Sequence, residues 1–558
     1  MTVALFFGKM KKKGAIFLLK KVYVTLLLVL ALCILVTGCS APKTCSHNFS
    51  DWETIRETSC ANAGQERRTC ADCGEVENRE IAALPHTEEI IQKGFEPTCI
   101  NPGQEDETKC TVCGKQVKQH KNIPALGHDL KITTVVNPDL ATNSLEQHYC
   151  KRCGYTSKQK GQVLPAEKAG LPILYITGDI EGISKYKTKA VEMKYVDGSK
   201  SFESYAEIKV QGSSSAAYKK KNFSVKLYED AAHTDKNKLD LGWGKEFKYC
   251  LKANYVDFSH ARNIVSCNIF ADITATRKNL DANIKNLPTY GTVDGYPIIV
   301  YINNNFHGLY TMNIPKDKWL YGMKDDESKR QAVICADSWS DYTDLFLPMN
   351  EKMDTWEIEH CSTSNTAWVR TSFNNMINFV NEKDGAAFRN GIGKYIDVEA
   401  TIDTMLYTIL LNGIDNTGKN INYATYDGTK WIPMMYDLDS TWGLWWEGNK
   451  LVDQGMLLPK FDKNGYQGNS RYNALWDKMF KNFAPEIKAR YNELRKKIFT
   501  TEYIMAEFNK FNNSVPEIVR ESEISRWSPP SYEMDYMLQI ESYAYNQIRL
   551  MDAAIAKL

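Results

Sequence analysis

Between Leu411 and Gly443 the sequence gathers groups suited to phosphate and a divalent cation. The run Leu411-Asn412-Gly413-Ile414-Asp415-Asn416-Thr417-Gly418-Lys419-Asn420 reads as the end of a helix, a loop that offers Asp415, and, five residues on, Asn420. Asn422–Tyr426, a turn at Asp427-Gly428 and Lys430–Met435 then read as a β-hairpin. The hairpin delivers Tyr436-Asp437-Leu438-Asp439, followed by Ser440-Thr441-Trp442-Gly443. Magnesium wants carboxylate and amide oxygens converging on phosphates, and a further carboxylate accepts or positions an acceptor hydroxyl. Taken singly, Asp415 ends a helix and Asp437 and Asp439 line a solvated loop. Two acidic motifs joined by one short hairpin reach the same rim, and that favours a site.

A second segment, Val210-Gln211-Gly212-Ser213-Ser214-Ser215 followed by Tyr218-Lys219-Lys220-Lys221-Asn222-Phe223-Ser224-Val225-Lys226-Leu227, places a Gly/Ser turn between strands. Backbone N–H and hydroxyl groups of Gly212, Ser213 and Ser214 are donors that such a turn presents to phosphates. Phe223, Val225 and Leu227 share one face, so Ser224 and Lys226 share the other. Lys226 and Lys221 are both candidates for the phosphates, and spacing does not separate them. Lys219 and Lys220 read as solubilising. The order of loop Asp, loop Asn, hairpin and second Asp is the order in which protein kinases place a hydroxyl-orienting Asp and two metal ligands.

A third constellation precedes both. Cys60, Cys70, Cys73 and Gly74 recur as Cys99, Cys110, Cys113 and Gly114, about forty residues on, and Cys150, Cys153 and Gly154 repeat the ending. His47, His86 and His128 open successive units. Each unit offers a His, a lone Cys and a C-x-x-C turn, a donor set for tetrahedral zinc. Forty residues bury too little apolar surface to fold unaided, and a metal supplies the missing stability. Disulfides are the rival in an exported segment, but the odd Cys count per repeat and the His in register favour metal. The sets expected are Cys60, Cys70 and Cys73 with His47 or His86, then Cys99, Cys110 and Cys113 with His86 or His128. The third unit lacks the lone Cys, Asp139 stands near its place, and Cys45 is unassigned.

These groups need elements to position them. Tyr205–Val210 and Phe223–Tyr228 alternate as strands, and Ile298–Ile302 with Gly308-Leu309-Tyr310 reads as a hairpin with an Asn-rich turn. From about Thr366 the pattern turns helical, through Trp368, Phe373, Met376, Ile377 and Val380. Asp397 caps a helix running to Asn412, which Gly413 stops. A strand-rich half followed by a helix-rich half is an α+β arrangement of two lobes. The division expected is 1–39 signal peptide, 40–156 Cys/His modules, 157–171 linker and 172–558 a large domain.

The 558 residues carry 69 Lys+Arg against 68 Asp+Glu, a balance that argues against a nucleic-acid partner. Hydrophobic residues make up 43%, a globular average. Nine of the 15 cysteines fall between Cys45 and Cys153, and the four at Cys250, Cys267, Cys335 and Cys361 read as buried thiols or one or two disulfides. Lysines precede an apolar run from Val22 to Val36, short for a span and right for a signal-peptide core. Val36-Thr37-Gly38-Cys39 resembles a bacterial lipobox, so Cys39 is expected to carry lipid and hold the exported chain on the outer face of the membrane.

Four motifs in order, Gly212-Ser213-Ser214 with Lys220-Lys221-Asn222-Phe223, Asn254-Tyr255-Val256-Asp257 with Arg262-Asn263, Asn305-Phe306-His307-Gly308-Leu309-Tyr310, and Asp437-Leu438-Asp439-Ser440-Thr441-Trp442-Gly443, resemble the spore-coat kinase (CotH) family. The resemblance spans about Pro172 to the C-terminus. It implies an atypical two-lobed, protein-kinase-like domain that binds ATP with Mg²⁺ or Mn²⁺ and phosphorylates serine on secreted or spore-coat proteins. Carried over, Asp415 is the catalytic residue, Asn420, Asp437 and Asp439 are metal ligands, Lys226 or Lys221 holds phosphates, and Arg262 and Asn263 line the nucleotide pocket. The chain departs from the family pattern at Thr311-Met312-Asn313, where many members have an acidic residue, so no Lys–Glu pair is carried over. Two other readings stand beside it: a non-catalytic kinase-like surface binding protein, and a glycosidase using Trp442, Trp445 and Trp446 as a sugar platform.

Overall fold

The computed structural model describes residues 45–336, 346–349, 356–459, 461–462, 465–466, 473–530 and 532–558. The stretch 1–39 expected to be a signal peptide, with Cys39, lies outside them. Two compact units divide the described chain: 45–130 with Cys150–Tyr155, and Lys131–Tyr149 with Thr156–Leu558. No helix among the described residues is long and apolar enough to cross a membrane.

The first unit is built of short antiparallel ribbons. Glu53–Arg56, Gly64–Thr69 and Val76–Ile81 form one, and Glu88–Gln92, Glu107–Cys110 and Gln116–Lys118 another. Their side chains are almost all exposed, and the buried apolar residues of the unit are Cys60, Cys70, Cys99, Cys110 and Cys150. Three identical knuckles punctuate it. In each, a Gly N–H donates to the Cys carbonyl four residues back, at 2.9 Å for Gly74, Gly114 and Gly154. The glycines sit at φ 75°, 72° and 72°, the left-handed region that closes so tight a turn.

In the second unit, period-2 alternation closes a barrel. Its strands are β1 (Ile173–Thr177), β2 (Lys189–Asp197), β3 (Lys200–Gln211), β4 (Asn222–Tyr228), β5 (Lys248–Lys252), β6 (Gly295–Ile302) and β7 (Asn305–Asn313). The order around the barrel is β1-β2-β3-β4-β5-β7-β6, antiparallel except for the closing β1–β6 pair, Ile173 opposite Ile299. Inward residues such as Val191, Ile208, Val225, Leu251, Val300 and Tyr310 fill it, so the barrel is a packed core. The β6–β7 turn uses Asn303 and Asn304 at φ 49° and 62°, as the Asn-rich sequence there requires.

The outer face of β6 and β7, through Ile299 and Leu309, joins a second and larger core. Around it stand a four-stranded sheet of β8 (Ala332–Ala336), β9 (Trp356–Cys361), β10 (Ile421–Thr425) and β11 (Ile432–Met435), in the order β9-β8-β10-β11. Helices α1 (Arg262–Ala275), α2 (Ala367–Glu382), α3 (Val398–Leu411), α4 (Glu517–Trp527) and α5 (Tyr536–Ile555) supply most of the rest. α3 is buried on every side from Ala400 onward. Its N-cap is Asp397, whose carboxylate accepts from the Ala400 N–H at 2.9 Å. Its stop is one residue earlier than the glycine: Asn412 takes the left-handed conformation at φ 50°. The strand-rich first half and helical second half are as the sequence reads.

The segment 157–171 is structured, although its polar composition reads as a linker. Thr156–Lys160 is a strand paired with Leu145–Cys150, and Ala166 and Ala169 are buried in the larger core. Small apolar residues among Lys, Glu and Gly hide such a docking point from composition alone.

Candidate functional site

Past Asn412, the single turn Ile414–Thr417 exposes Asp415. Asn416 ties this loop to the end of the β10–β11 hairpin: its amide donates to the Asn420 carbonyl at 3.2 Å and the Tyr436 carbonyl at 3.0 Å. Asn420 donates its N–H to Ala336 at 2.6 Å and accepts from Tyr436 N–H at 3.1 Å. It therefore stands directly opposite the residue before Asp437. Beyond, Leu438 N–H donates to Asn263 Oδ1 at 2.9 Å, which fixes the acidic loop to α1. Asn420 and Asp437 both hold left-handed backbone, φ 58° and 52°. Strain of that kind persists only where surrounding bonds enforce it, and it concentrates at functional sites.

The three carboxylates share one field. Burial pushes the Asp439 carboxyl up to about 7, and the neighbouring charges of Asp437 and Asp415 push the same way against Lys252 and the Ser440 hydroxyl. Lys419 Nζ lies 3.4 Å from Asp415 Oδ2. Opposite them, Lys252 at the end of β5 places Nζ 3.9 Å from Asp437 Oδ1 and 5.9 Å from the Tyr436 ring. Burial alone would lower the Lys252 pKa, but the field of Tyr436, Asp437, Cys250 and Asp439 outweighs it and holds the ammonium charged.

The Gly/Ser turn faces this group. Ser214 lines a cavity of about 350 Å³ with Asp415, Lys419, Ser440, Trp445 and Trp446. Tyr218 closes one side, donating to the Trp446 carbonyl at 3.0 Å. Burial, then Asp439, Glu447 and Asp415, push its hydroxyl up to about 12. Gly212, at φ 110°, admits no side chain, because a Cβ there would meet Ser215 Oγ at 2.0 Å. Ser214 of the Gly/Ser turn and Asp415 thus line one cavity, and Asp439, next to the lining residue Ser440, feels the charges of Asp437, Lys252 and Asp415.

Of the lysines near the Gly/Ser turn, Lys252 is the one beside Asp437, while Lys226 and Lys221 have other partners. Lys226 lies on the outer face of β4, 3.6 Å from Glu207 and directly opposite Lys248. β4 and β5 run antiparallel with Phe223 opposite Leu251, so the turn end of β4 meets Lys252, and Lys226 is four residues, about 13 Å, further along. Lys221 staples the turn itself, donating to the Ala216 carbonyl at 2.8 Å. Arg262 is buried and held by Asp257 and by Gln539 at 2.6 Å, which makes it an anchor of α1 and not a nucleotide contact. Sequence reasoning missed Lys252; its only signal is the alternation of Lys248, Cys250 and Lys252 on one face of a five-residue strand.

Lys220 is likewise not a solubilising residue. It is buried, 2.6 Å from Glu523 Oε1 of α4, and donates to the carbonyls of Ala253, at 3.2 Å, and Leu309. Burial pulls Lys220 down and Glu523 up, and the pairing opposes both. Trp442 is fully buried with its indole N–H on Ser266 Oγ at 2.9 Å, so it packs the core and offers no sugar platform. Cys250, Cys267 and Cys335 are buried cysteines outside any disulfide, and Cys361 is half-buried.

The model of the CotH kinase protein family matches residues 208–547, more than half of the chain. The chain belongs to the CotH kinase family. A comparison with curated proteins finds no match. The family match begins within β3 and ends within α5, so it takes in the Gly/Ser turn, Lys252, Asp415, Asn420, Asp437 and Asp439 together. It leaves out the first unit, where the Cys and His residues gather in three groups: Cys45, His47, Cys70 and Cys73; Cys60, His86, Cys110 and Cys113; Cys99, His128, Cys150 and Cys153. These are not the sets expected from within each repeat. Cys60 leaves Cys70 and Cys73 for the next knuckle, Cys99 does the same, and Cys45 fills the vacated place.

Proposed function

We propose that this CotH-family chain is an ATP- and Mg²⁺- or Mn²⁺-dependent protein kinase that phosphorylates serine or threonine on exported or coat proteins. On this reading lipid on Cys39 holds it at the outer face of the membrane, and the second unit is an atypical kinase-like domain of two lobes. The observation that carries the reading is Lys252, held charged 3.9 Å from Asp437, with both acting together with Asp415 on Asp439 beside the cavity that Asp415 and Ser214 line. Three crowded carboxylates and a carboxamide are the hard oxygen donors a small divalent cation prefers, and such a cation would offset both the burial and the like charge of Asp437 and Asp415 that push the Asp439 carboxyl up. Asn420, Asp437 and Asp439 would hold it, and its charge would neutralise the phosphates.

The chain's own groups have separable tasks. Lys252 pairs with the phosphates, and the backbone N–H groups of Gly212, Ser213 and Ser214 cap them. Asp415 accepts the acceptor hydroxyl's proton as the new phosphoester bond forms, while the bond from the γ-phosphorus to the bridging oxygen breaks and ADP leaves with that oxygen's electron pair. Lys419, beside Asp415, offsets the charge that develops there.

The test incubates the full chain in detergent with labelled ATP and Mg²⁺ or Mn²⁺, beside Asp415→Asn, Asp437→Ala and Lys252→Ala, with ATP binding followed by calorimetry. Label incorporated by the wild type and lost in all three supports the reading. Failure to bind ATP with either metal overturns it, and leaves a kinase-like surface binding protein.

A further inference from the structure

In the first unit the atoms of each Cys/His group lie within 4.8 Å of one another. Their spacings are more specific than that. Sγ–Sγ is 3.8 Å for Cys45–Cys70, 3.7 Å for Cys60–Cys110 and 3.8 Å for Cys99–Cys150. Sγ–Nδ1 is 3.3 Å for Cys73–His47, 3.5 Å for Cys113–His86 and 3.4 Å for Cys153–His128. A tetrahedron with Zn–S of about 2.3 Å and Zn–N of about 2.0–2.1 Å has edges of about 3.8 Å between sulfurs and about 3.5 Å between sulfur and nitrogen. The same edges appear three times. They are too long for a disulfide, whose sulfurs stand about 2.05 Å apart.

Which residues meet is equally informative. Cys60 reaches Cys110 across 50 residues and Cys99 reaches Cys150 across 51. The lone Cys of one repeat thus joins the His and knuckle that follow it, and only the first group, with Cys45 and Cys70 25 residues apart, is local. The turn that carries the lone Cys is preserved in all three repeats. Ser59, Thr98 and Asp139 donate N–H to Asn62, Asn101 and Thr142 at 3.0, 3.0 and 3.1 Å, and accept from Leu84, Leu126 and Leu164 at 3.1, 2.9 and 3.0 Å. In the third repeat the lone-Cys position is therefore Leu140. No fourth knuckle follows to need a thiolate. Leu140 is 2% exposed, its N–H donates to Ser522 Oγ of α4 at 2.9 Å, and Asp139 accepts from Ser525 Oγ at 2.6 Å.

We propose that the first unit binds three Zn²⁺ ions in three Cys₃His sites, and that the second and third ions are staples between successive repeats. Each ion takes three thiolates and a neutral imidazole Nδ1, releasing the thiol protons to solvent. His47 keeps its other nitrogen 3.2 Å from Glu75, the carboxylate support that orients a ligating imidazole. Cys45 caps the chain of staples at one end. Leu140 ends it at the other by exchanging the metal ligand for an apolar anchor in the second unit's own core.

The test uses the full chain, purified with zinc under reducing conditions. Metal analysis with native mass spectrometry is expected to give three zinc ions per chain. Cys60→Ser and Cys99→Ser are then alkylated with N-ethylmaleimide at a chelator concentration that leaves the wild type loaded, and the modified cysteines are read by mass spectrometry. Cys60→Ser is expected to expose Cys110 and Cys113 while Cys70 and Cys73 stay protected. Cys99→Ser is expected to expose Cys150 and Cys153 while Cys110 and Cys113 stay protected. The protected knuckle in each variant reports that the rest of the unit is folded. Leu140→Cys is expected to leave the count at three. Loss of protection at Cys70 and Cys73 in Cys60→Ser, a count below three in the wild type, or cysteines found in disulfides overturns the proposal.

Discussion

The two units gather polar side chains for opposite reasons. In the first, cysteines supply nearly all the buried side chains among the described residues: Cys60, Cys70, Cys99, Cys110 and Cys150 are buried, with Thr108, among mostly exposed ribbons. In the second, the carboxylates of Asp415, Asp437 and Asp439 crowd together near a cavity that Asp415 lines, beside a core that would stand without them. Ligands that are the core cannot be removed without the fold. Ligands that crowd like charge at a cleft cost stability while they serve function. The sharpest way to break this comparison is to strip metal. A strong chelator is expected to unfold the first unit, 45–130 with Cys150–Tyr155, so that limited trypsin cuts after Arg67, Arg68 and Arg79, while the second unit keeps its thermal transition. Simultaneous loss of both transitions would make the array part of one cooperative unit.

The complementary variant removes a cleft carboxylate. Asp437→Ala is expected to lower phosphoryl transfer by at least about 10²-fold. Its melting temperature should stay within a few degrees of the wild type or rise, since the substitution relieves the repulsion that pushes Asp439 up. A large drop in melting temperature would show that Asp437 supports the fold.

Within the second unit the contrast recurs between two lysines with acidic partners. Lys220 and Glu523 are sealed, and Gly308 is what lets them meet: a Cβ there would lie 2.7 Å from Glu523 Oε2 and 2.9 Å from Lys220 Cε. Glu523→Ala leaves a buried ammonium unpaired and is expected to cost about 3–5 kcal/mol, read by denaturant unfolding of the second unit. A cost under about 1 kcal/mol would mean that water reaches the pair.

The acidic loop was legible in sequence because local order alone builds it: helix end, loop, hairpin and Asp-x-Asp are contiguous, and the family motif covers them. Lys252 was not, because its role comes from register. Only the pairing of β4 with β5 reveals that Lys226 sits four residues away at the far end of the face on which Lys252 meets Asp437. The zinc sets failed for a related reason. Repetition in sequence shows that the first two repeats carry four ligands each but not that each of them lends one forward. Lys220 and Arg262 misled in the same way, since a charged residue beside a turn looks exposed until a distant helix, α4 or α5, supplies Glu523 or Gln539.

A smaller effect separates the sealed pair's surroundings from the open cleft. His307 stacks near Tyr310 and Trp527, and burial, with Lys220 and Arg526, pushes it down to about 3. An unfolded histidine titrates near 6.5, so between about 6.5 and 3 the unfolded chain holds a proton the folded chain lacks, and stability falls as pH falls. His307→Gln removes that proton from the balance. The variant is expected to lose stability on acidification less steeply than the wild type, by up to about 1.4 kcal/mol per pH unit in that window. Parallel pH profiles would mean that His307 is protonated in the folded state.

The smallest effect discriminates most between the two candidate lysines. Lys226 is 43% exposed at its side chain and only 3.6 Å from Glu207, which is itself about a third exposed. An ion pair open to water on one strand face contributes little, about 0.2–1 kcal/mol at most. Lys226→Ala should therefore leave both ATP affinity and melting temperature near wild type, while Lys252→Ala on the adjacent strand abolishes transfer. The same chemical deletion is made twice, on paired strands, and only the position relative to Asp437 differs. If Lys226→Ala instead weakens ATP binding tenfold while Lys252→Ala does not, the phosphates lie against the outer face of β4, and the cleft between Lys252 and Asp437 serves another purpose.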